Sequence, residues 1–142
     1  MIASVYVDGA CSLKKNKGKV GIYSEELDIA ISKDIENLVE KKTCSIAELL
    51  ALKIALDILD CNEIKKNYDK IKIYSDSQYV VYTFTKWINK WIEKGWKKCD
   101  NKEIKHLEII QNIYNILVAN PNYELIWIPR EKNKKADALS KS

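Results

Sequence analysis

Charged and apolar residues alternate through Lys70-Ile71-Lys72-Ile73-Tyr74, the two-residue period of a strand with one face in a core. The alternation stops at Ser75-Asp76-Ser77, and Ser77 suits the N-cap of a helix running on through Val80, Val81 and Phe84. Asp76 therefore falls at the carboxyl end of a strand, the edge where open α/β sheets hold their ligands. Ala3 to Val7 repeats the strand pattern and ends at Asp8-Gly9-Ala10, a carboxylate followed by a residue that permits a sharp turn. Lys14 to Lys19 reads as a polar turn containing Gly18. Val20 to Tyr23 and Leu27 to Ile31 read as two more strands, joined around Ser24-Glu25-Glu26 as a hairpin. Tyr123 to Ile128 is a final strand rich in β formers, set off by Asn120-Pro121-Asn122.

Helical periods fill the intervals. From Ser45 to Asp60 apolar residues occupy nearly every position, so this helix must be covered on several sides. Glu48 is the only charge in its first two turns, and Ser45-Ile46-Ala47-Glu48 also fits a capping box. Glu103 to Val118 predicts a helix with Leu107, Ile110, Ile113, Tyr114 and Leu117 on one side, and the sole histidine, His106, reads there as a surface residue. Lys134 to Lys141 predicts a short helix carrying Asp137. Residues 33 to 43 favour neither state. The order β-β-β-α-β-α-α-β-α predicts an α/β fold: a mixed five-stranded sheet, antiparallel meander then parallel strands, flanked by helices.

Composition narrows the class. A chain of 142 residues with 46% apolar content suffices for one core, which makes residues 1–142 one domain. With no apolar run of 18 residues and no leader pattern, the expectation is a cytoplasmic protein that does not engage the membrane. The four cysteines are widely spaced, without a CxxC pair, and read as free thiols. The net charge of +4 resides wholly in Lys86 to Lys105, where seven lysines face three acidic residues and Trp87, Trp91 and Trp96 are interleaved. A charge run is usually a solvated face, but basic residues mixed with aromatics also suit phosphates and bases.

Tyr6-Val7-Asp8-Gly9-Ala10, Ala47-Glu48-Leu49-Leu50-Ala51-Leu52, Tyr74-Ser75-Asp76-Ser77-Gln78-Tyr79-Val80 and Asn133-Lys134-Lys135-Ala136-Asp137-Ala138-Leu139 resemble the four signature blocks of type-one ribonuclease H, in the family's order and spacing. The resemblance runs from residue 3 to about residue 140. Trp87-Ile88-Asn89-Lys90-Trp91 and Lys94-Gly95-Trp96-Lys97, within residues 86–105, resemble the basic handle with which many members grip the DNA strand of a hybrid. The resemblance implies a monomeric endonuclease that hydrolyses the RNA strand of RNA–DNA hybrids, leaving 5′-phosphate and 3′-hydroxyl ends. It implies two Mg²⁺ ions, replaceable by Mn²⁺, with Asp8 bridging both, Glu48 and Asp76 completing one site and Asp137 holding the other. Hard cations accept carboxylate oxygen, and a pair of them about 4 Å apart activates water and stabilises the leaving 3′ oxygen.

By the same resemblance, Cys11, the Thr43-Cys44-Ser45 turn and Gln78 line the groove that senses the RNA 2′-OH. Thr43 also matches a DNA phosphate pocket. Trp87, Lys90, Trp91, Lys94, Trp96, Lys97, Lys98 and Asn133 complete the expected substrate contacts. Two departures stand out. Pro129-Arg130-Glu131-Lys132 carries no histidine where many relatives have one, and Thr43-Cys44-Ser45 replaces their paired asparagines. The rival readings are another nuclease on the same fold, such as a junction resolvase, and a non-catalytic hybrid-binding module. Four intact carboxylates oppose the binder, which has no use for a repulsive cluster.

Overall fold

A computed structural model describes residues 1–12, 17–35, 44–98 and 103–141. Five strands, β1 (Ile2–Ser12), β2 (Lys17–Ser24), β3 (Ile29–Asp34), β4 (Lys70–Ser75) and β5 (Tyr123–Trp127), form one sheet in the order β3-β2-β1-β4-β5. The β3-β2-β1 side is antiparallel, while β1-β4 and β4-β5 are parallel. This is the mixed sheet that the pattern predicts.

The alternation explains which face is covered. Ala3, Val5 and Val7 of β1 and Ile71 and Ile73 of β4 are buried, while Ser4, Tyr6, Lys72 and Tyr74 between them are half-buried. The buried set packs beneath α1 (Cys44–Asp60), whose Leu49, Leu52, Leu56 and Leu59 are fully buried. Covered by the sheet and by α4 (Leu107–Ala119), α1 explains its nearly continuous apolar sequence. On the opposite face α5 (Lys134–Lys141) packs over β2, β1 and β3.

Several boundaries differ from the pattern, each for a local reason. β1 does not turn at Gly9 but continues to Ser12, paired with β2 throughout. Gly18 lies inside β2, and the turn expected at residues 14–19 falls largely outside the described residues, as do residues 36–43. Leu27 belongs to the hairpin turn, where Asp28 adopts φ 55. α4 begins at Leu107 instead of Glu103, because Glu103 bridges to Lys97 and His106 takes a left-handed φ of 58. Ser77 caps α2 (Gln78–Tyr82) as predicted, accepting from the Val80 amide at 3.3 Å.

Past α2 the helix widens into a π turn at Thr83–Trp87 before resuming as α3 (Ile88–Glu93). The Thr83 and Thr85 hydroxyls donate to the carbonyls of Tyr79 and Val81, at 2.6 and 2.7 Å, the local bonding that loosens a helical ladder. Ile88 and Trp91 face the core while Trp87 stays out. Gly95 at φ 69 ends α3, as its sequence position suggests.

Candidate functional site

Two glycines on neighbouring strands bring three elements to one point. A Cβ on Gly9 would strike the Ala47 carbonyl and lie 2.7 Å from the Glu48 amide nitrogen, so only glycine lets α1 approach β1 this closely. Glu48 thereby comes to rest beside Asp8, with the Gly9 amide donating to its carboxyl group. Gly21, paired with Asp8 across the β1–β2 ladder, is the counterpart on the other face. A Cβ there would meet the Ala136 carbonyl and lie 2.6 Å from the Ser140 nitrogen, so glycine seats α5 against the sheet. The Ser140 hydroxyl can then donate to Asp8 Oδ2 at 3.2 Å.

Asp76 enters from the end of β4, where the Ser75 hydroxyl accepts the Ser77 amide at 3.1 Å and Trp127 Nε1 donates to the Asp76 carbonyl at 3.2 Å. Asp8, Glu48 and Asp76 each offer a carboxylate oxygen within 4.8 Å of the others. Asp137, in the first turn of α5, shares their cleft of about 400 Å³ with Cys11, Arg130 and Lys141, but stands outside that tight group. Its carboxylate is engaged by Lys141 at 3.1 Å and faces Arg130 at 3.7 Å.

Electrostatics follow from this crowding. Burial, then the nearby Asp76, pushes Asp8 up to about 7, and its hydrogen bond to Asp137 adds to the rise. Burial, then Asp8 and Asp76, pushes Glu48 up to about 9. Burial acts upward on Asp137 as well, but the hydrogen bond from Asp8 and the cations Lys141 and Arg130 hold it below the ordinary carboxylate range. In the metal-free protein, protons on Glu48 and Asp8 therefore do the work that a cation would do. Glu48 Oε2 is buried without a hydrogen-bond partner. A buried, partnerless carboxyl oxygen facing two others is the donor set a hard divalent ion accepts, so these residues fit Mg²⁺ or a similar ion.

The expected substrate contacts divide. Gln78 opens α2, exposed beside Asp76, and Cys11 lies at the far end of β1 in the cleft. Cys11 is disulfide-bonded, against the expectation of a free thiol, whereas Cys61 is free and exposed. Thr43 and the Cys44 side chain lie outside the described residues. Trp87 is 40% exposed and stacks at a tilt on Trp91, with ring centroids 6.1 Å apart. Lys90, Lys94 and Lys97 are exposed, and Lys98 is half-buried.

Three expected substrate contacts have structural duties. Trp91 is only 7% exposed and belongs to the core cluster, as befits a residue one helical turn from Trp87. Trp96 is half-buried, edge-on to Tyr114 at 5.8 Å. Asn133 is completely buried and donates to the Val7 carbonyl at 2.9 Å, tying the start of α5 to β1 and leaving no surface for a hybrid. Conversely, Ser140, Arg130 and Lys141, which surround Asp8 and Asp137, are not among the residues singled out from the sequence pattern. The i,i+3 and i,i+4 spacing of Ser140 and Lys141 from Asp137 was the available signal. His106 is not the surface residue expected of it. It is half-buried beside Ser45, Trp91 and Lys98 around a small cavity of about 70 Å³.

Comparison with known proteins agrees with this fold. The family model described as RNase H matches residues 2–142. The ribonuclease H of Wolbachia sp. subsp. Drosophila simulans (strain wRi) is 32% identical over 97% of this chain and 92% of its own. Among solved structures, RNase H1 from Halobacterium salinarum NRC-1 superposes with a TM-score of 0.69 at 22% identity, covering 99% of this chain and 96% of that one. LC11-RNase H1, solved in complex with an RNA/DNA hybrid, superposes with a TM-score of 0.64 at 24% identity, covering 98% of this chain and 94% of that one.

Proposed function

The chain belongs to the ribonuclease H family, and from that membership we propose that it is an endonuclease hydrolysing the RNA strand of RNA–DNA hybrids to 5′-phosphate and 3′-hydroxyl ends. The observation that carries the reading is the cluster of Asp8, Glu48 and Asp76 within 4.8 Å, at the sheet edge where ligands bind. Such a cluster destabilises a protein that has no cation to bind there. Asp8, Glu48 and Asp76 would hold one Mg²⁺, and Asp8 with Asp137 a second. When bound, the ions supply the Lewis acidity that activates water and offsets charge on the leaving oxygen.

The chain's own residues supply the rest. Gly9 and Gly21 fix the spacing of the carboxylates from both faces of the sheet. Ser140 orients Asp8, and Trp127 orients the backbone of Asp76. The cations Arg130 and Lys141 line the same cleft, where they would meet the charge of an entering phosphodiester. Cys11, Ser45 and Gln78 border the path of the RNA strand. Trp87 and the lysines of residues 86–105 take the DNA strand, with phosphates on the ammonium groups and a sugar or base face on the indole. The reading carries with it a monomer acting in the cytoplasm, residues 1–142 being one domain.

No helix among the described residues is long and apolar enough to cross a membrane. The discriminating test presents equal concentrations of hybrid, double-stranded RNA, double-stranded DNA and a four-way junction, with Mg²⁺. Cleavage confined to the hybrid is expected. Cleavage of the junction at a comparable rate would move the chain to a different nuclease class.

A further inference from the structure

Lys141 stands in the position where a cation would meet Asp137. Its Nζ lies 3.1 Å from Asp137 Oδ1 and 3.2 Å from Oδ2, so one ammonium caps both oxygens. Arg130 also approaches Oδ1, at 3.7 Å. Asp137 is also hydrogen-bonded to Asp8. An i,i+4 pair in the favourable orientation is common on helices and ordinarily serves only the helix. This one is different because its carboxylate opens into the cleft of Asp8, Glu48 and Asp76, and Lys141 borders the same cleft. The Lys141 side chain is 52% exposed, so it can swing into solvent at little cost.

We propose that Lys141 is a displaceable internal counter-ion: it neutralises Asp137 in the metal-free protein and yields that carboxylate when a divalent cation is taken up on that side of the cleft. The inference rests on the metal-dependent reading above. Lys141 acts through Asp137 and is a positioning residue, and its presence makes cation uptake a competition. Removing the ammonium removes the competitor and the repulsion it exerts on an incoming ion. An exposed charge so close weakens the binding of a divalent ion by roughly three- to tenfold. Arg130, farther away and more exposed, contributes less.

The test is calorimetric titration of the full chain with Mn²⁺, and separately with Mg²⁺, in the absence of nucleic acid. Lys141→Gln is expected to bind more tightly than the parent by about three- to tenfold, and Lys141→Arg to remain near the parent. In an Asp137→Asn background, Lys141→Gln should gain clearly less than in the parent, because the ion pair is already gone and only the direct repulsion of the incoming ion remains. Circular dichroism of each variant establishes that it is folded, and Lys141→Met serves if the glutamine variant is not. Equal or weaker binding by a folded Lys141→Gln chain, with parent binding intact, overturns this proposal alone. No binding by the parent overturns it together with the metal-dependent reading.

Discussion

Replacing Asp8 by Asn should stabilise the metal-free protein at alkaline pH, because its carboxyl group is forced to hold a proton. Its pKa rises from 3.8 to about 7 on folding, so the native state binds more protons than the unfolded chain between those values. Stability from this group is complete below pH 4 and is lost as pH rises through 7. A rise of roughly three pH units corresponds to about 4 kcal/mol. Because the rise is shared with Glu48, Asp76 and Asp137, a single substitution should recover about half of it, roughly 2 kcal/mol. In a chain of this size that is a Tm increase of about 5–8 °C. Asn keeps the geometry: its carbonyl oxygen can accept from Ser140, and its amide can donate to Asp137 in place of the proton. Thermal unfolding in EDTA from pH 5 to pH 9 is the assay. The parent's Tm should fall relative to Asp8→Asn between pH 5 and pH 7 and level off above it, with the two converging only near pH 4. An Asp8→Asn chain less stable than the parent at pH 8 would refute the reasoning, since it would mean that the carboxylate is a favourable partner and not a repelled one.

The same physics sets the remaining expectations. Asp76→Asn should stay folded yet lose hybrid cleavage by several powers of ten, measured under single-turnover conditions; near-parent activity would remove Asp76 from the site. Loading Mg²⁺ at pH 7 should release protons from Asp8 and Glu48, visible as a binding enthalpy that changes with the ionisation enthalpy of the buffer; a buffer-independent enthalpy would contradict the protonated cluster. Replacing Lys90, Lys94, Lys97 and Lys98 by Ala should flatten the salt dependence of hybrid binding by up to about 3 to 4 in log–log slope and raise KM far more than it lowers kcat. An unchanged slope would make these lysines a solvated face. Gly9→Ala should cost several kcal/mol in chemical denaturation, because its methyl group meets backbone and not a movable side chain; a loss under 1 kcal/mol would show that α1 can retreat.

The sheet was legible because its two-residue period is strict where one face is buried, and α1 because a helix covered on several sides is apolar nearly throughout. The carboxylates were legible as members of four spaced blocks. What the blocks could not convey was how they are brought together. Gly9 reads as a turn glycine in sequence, whereas its function is to give room to the Ala47 carbonyl, a contact between residues 38 apart in the chain. The same holds for Gly21 beneath α5. His106 holds back the start of α4 by its backbone conformation, which helical periodicity cannot register. Trp91 and Asn133 share types and spacing with ligand-binding residues, and only burial separates the two uses. The π turn, which gives Trp87 and Trp91 different surroundings, likewise leaves no periodic trace.

If the clustered carboxylates hold the metal ions, they cut one strand of one kind of duplex. The most direct measurement labels the RNA and DNA strands of a hybrid separately and follows both through a single turnover, with Mg²⁺ and with EDTA, using the parent and Glu48→Gln. Only the RNA strand should be shortened, the new ends should be 5′-phosphate and 3′-hydroxyl, and EDTA or Glu48→Gln should abolish the reaction. Cleavage of the DNA strand, or RNA cleavage persisting in EDTA with a 2′,3′-cyclic phosphate end, would contradict this reading.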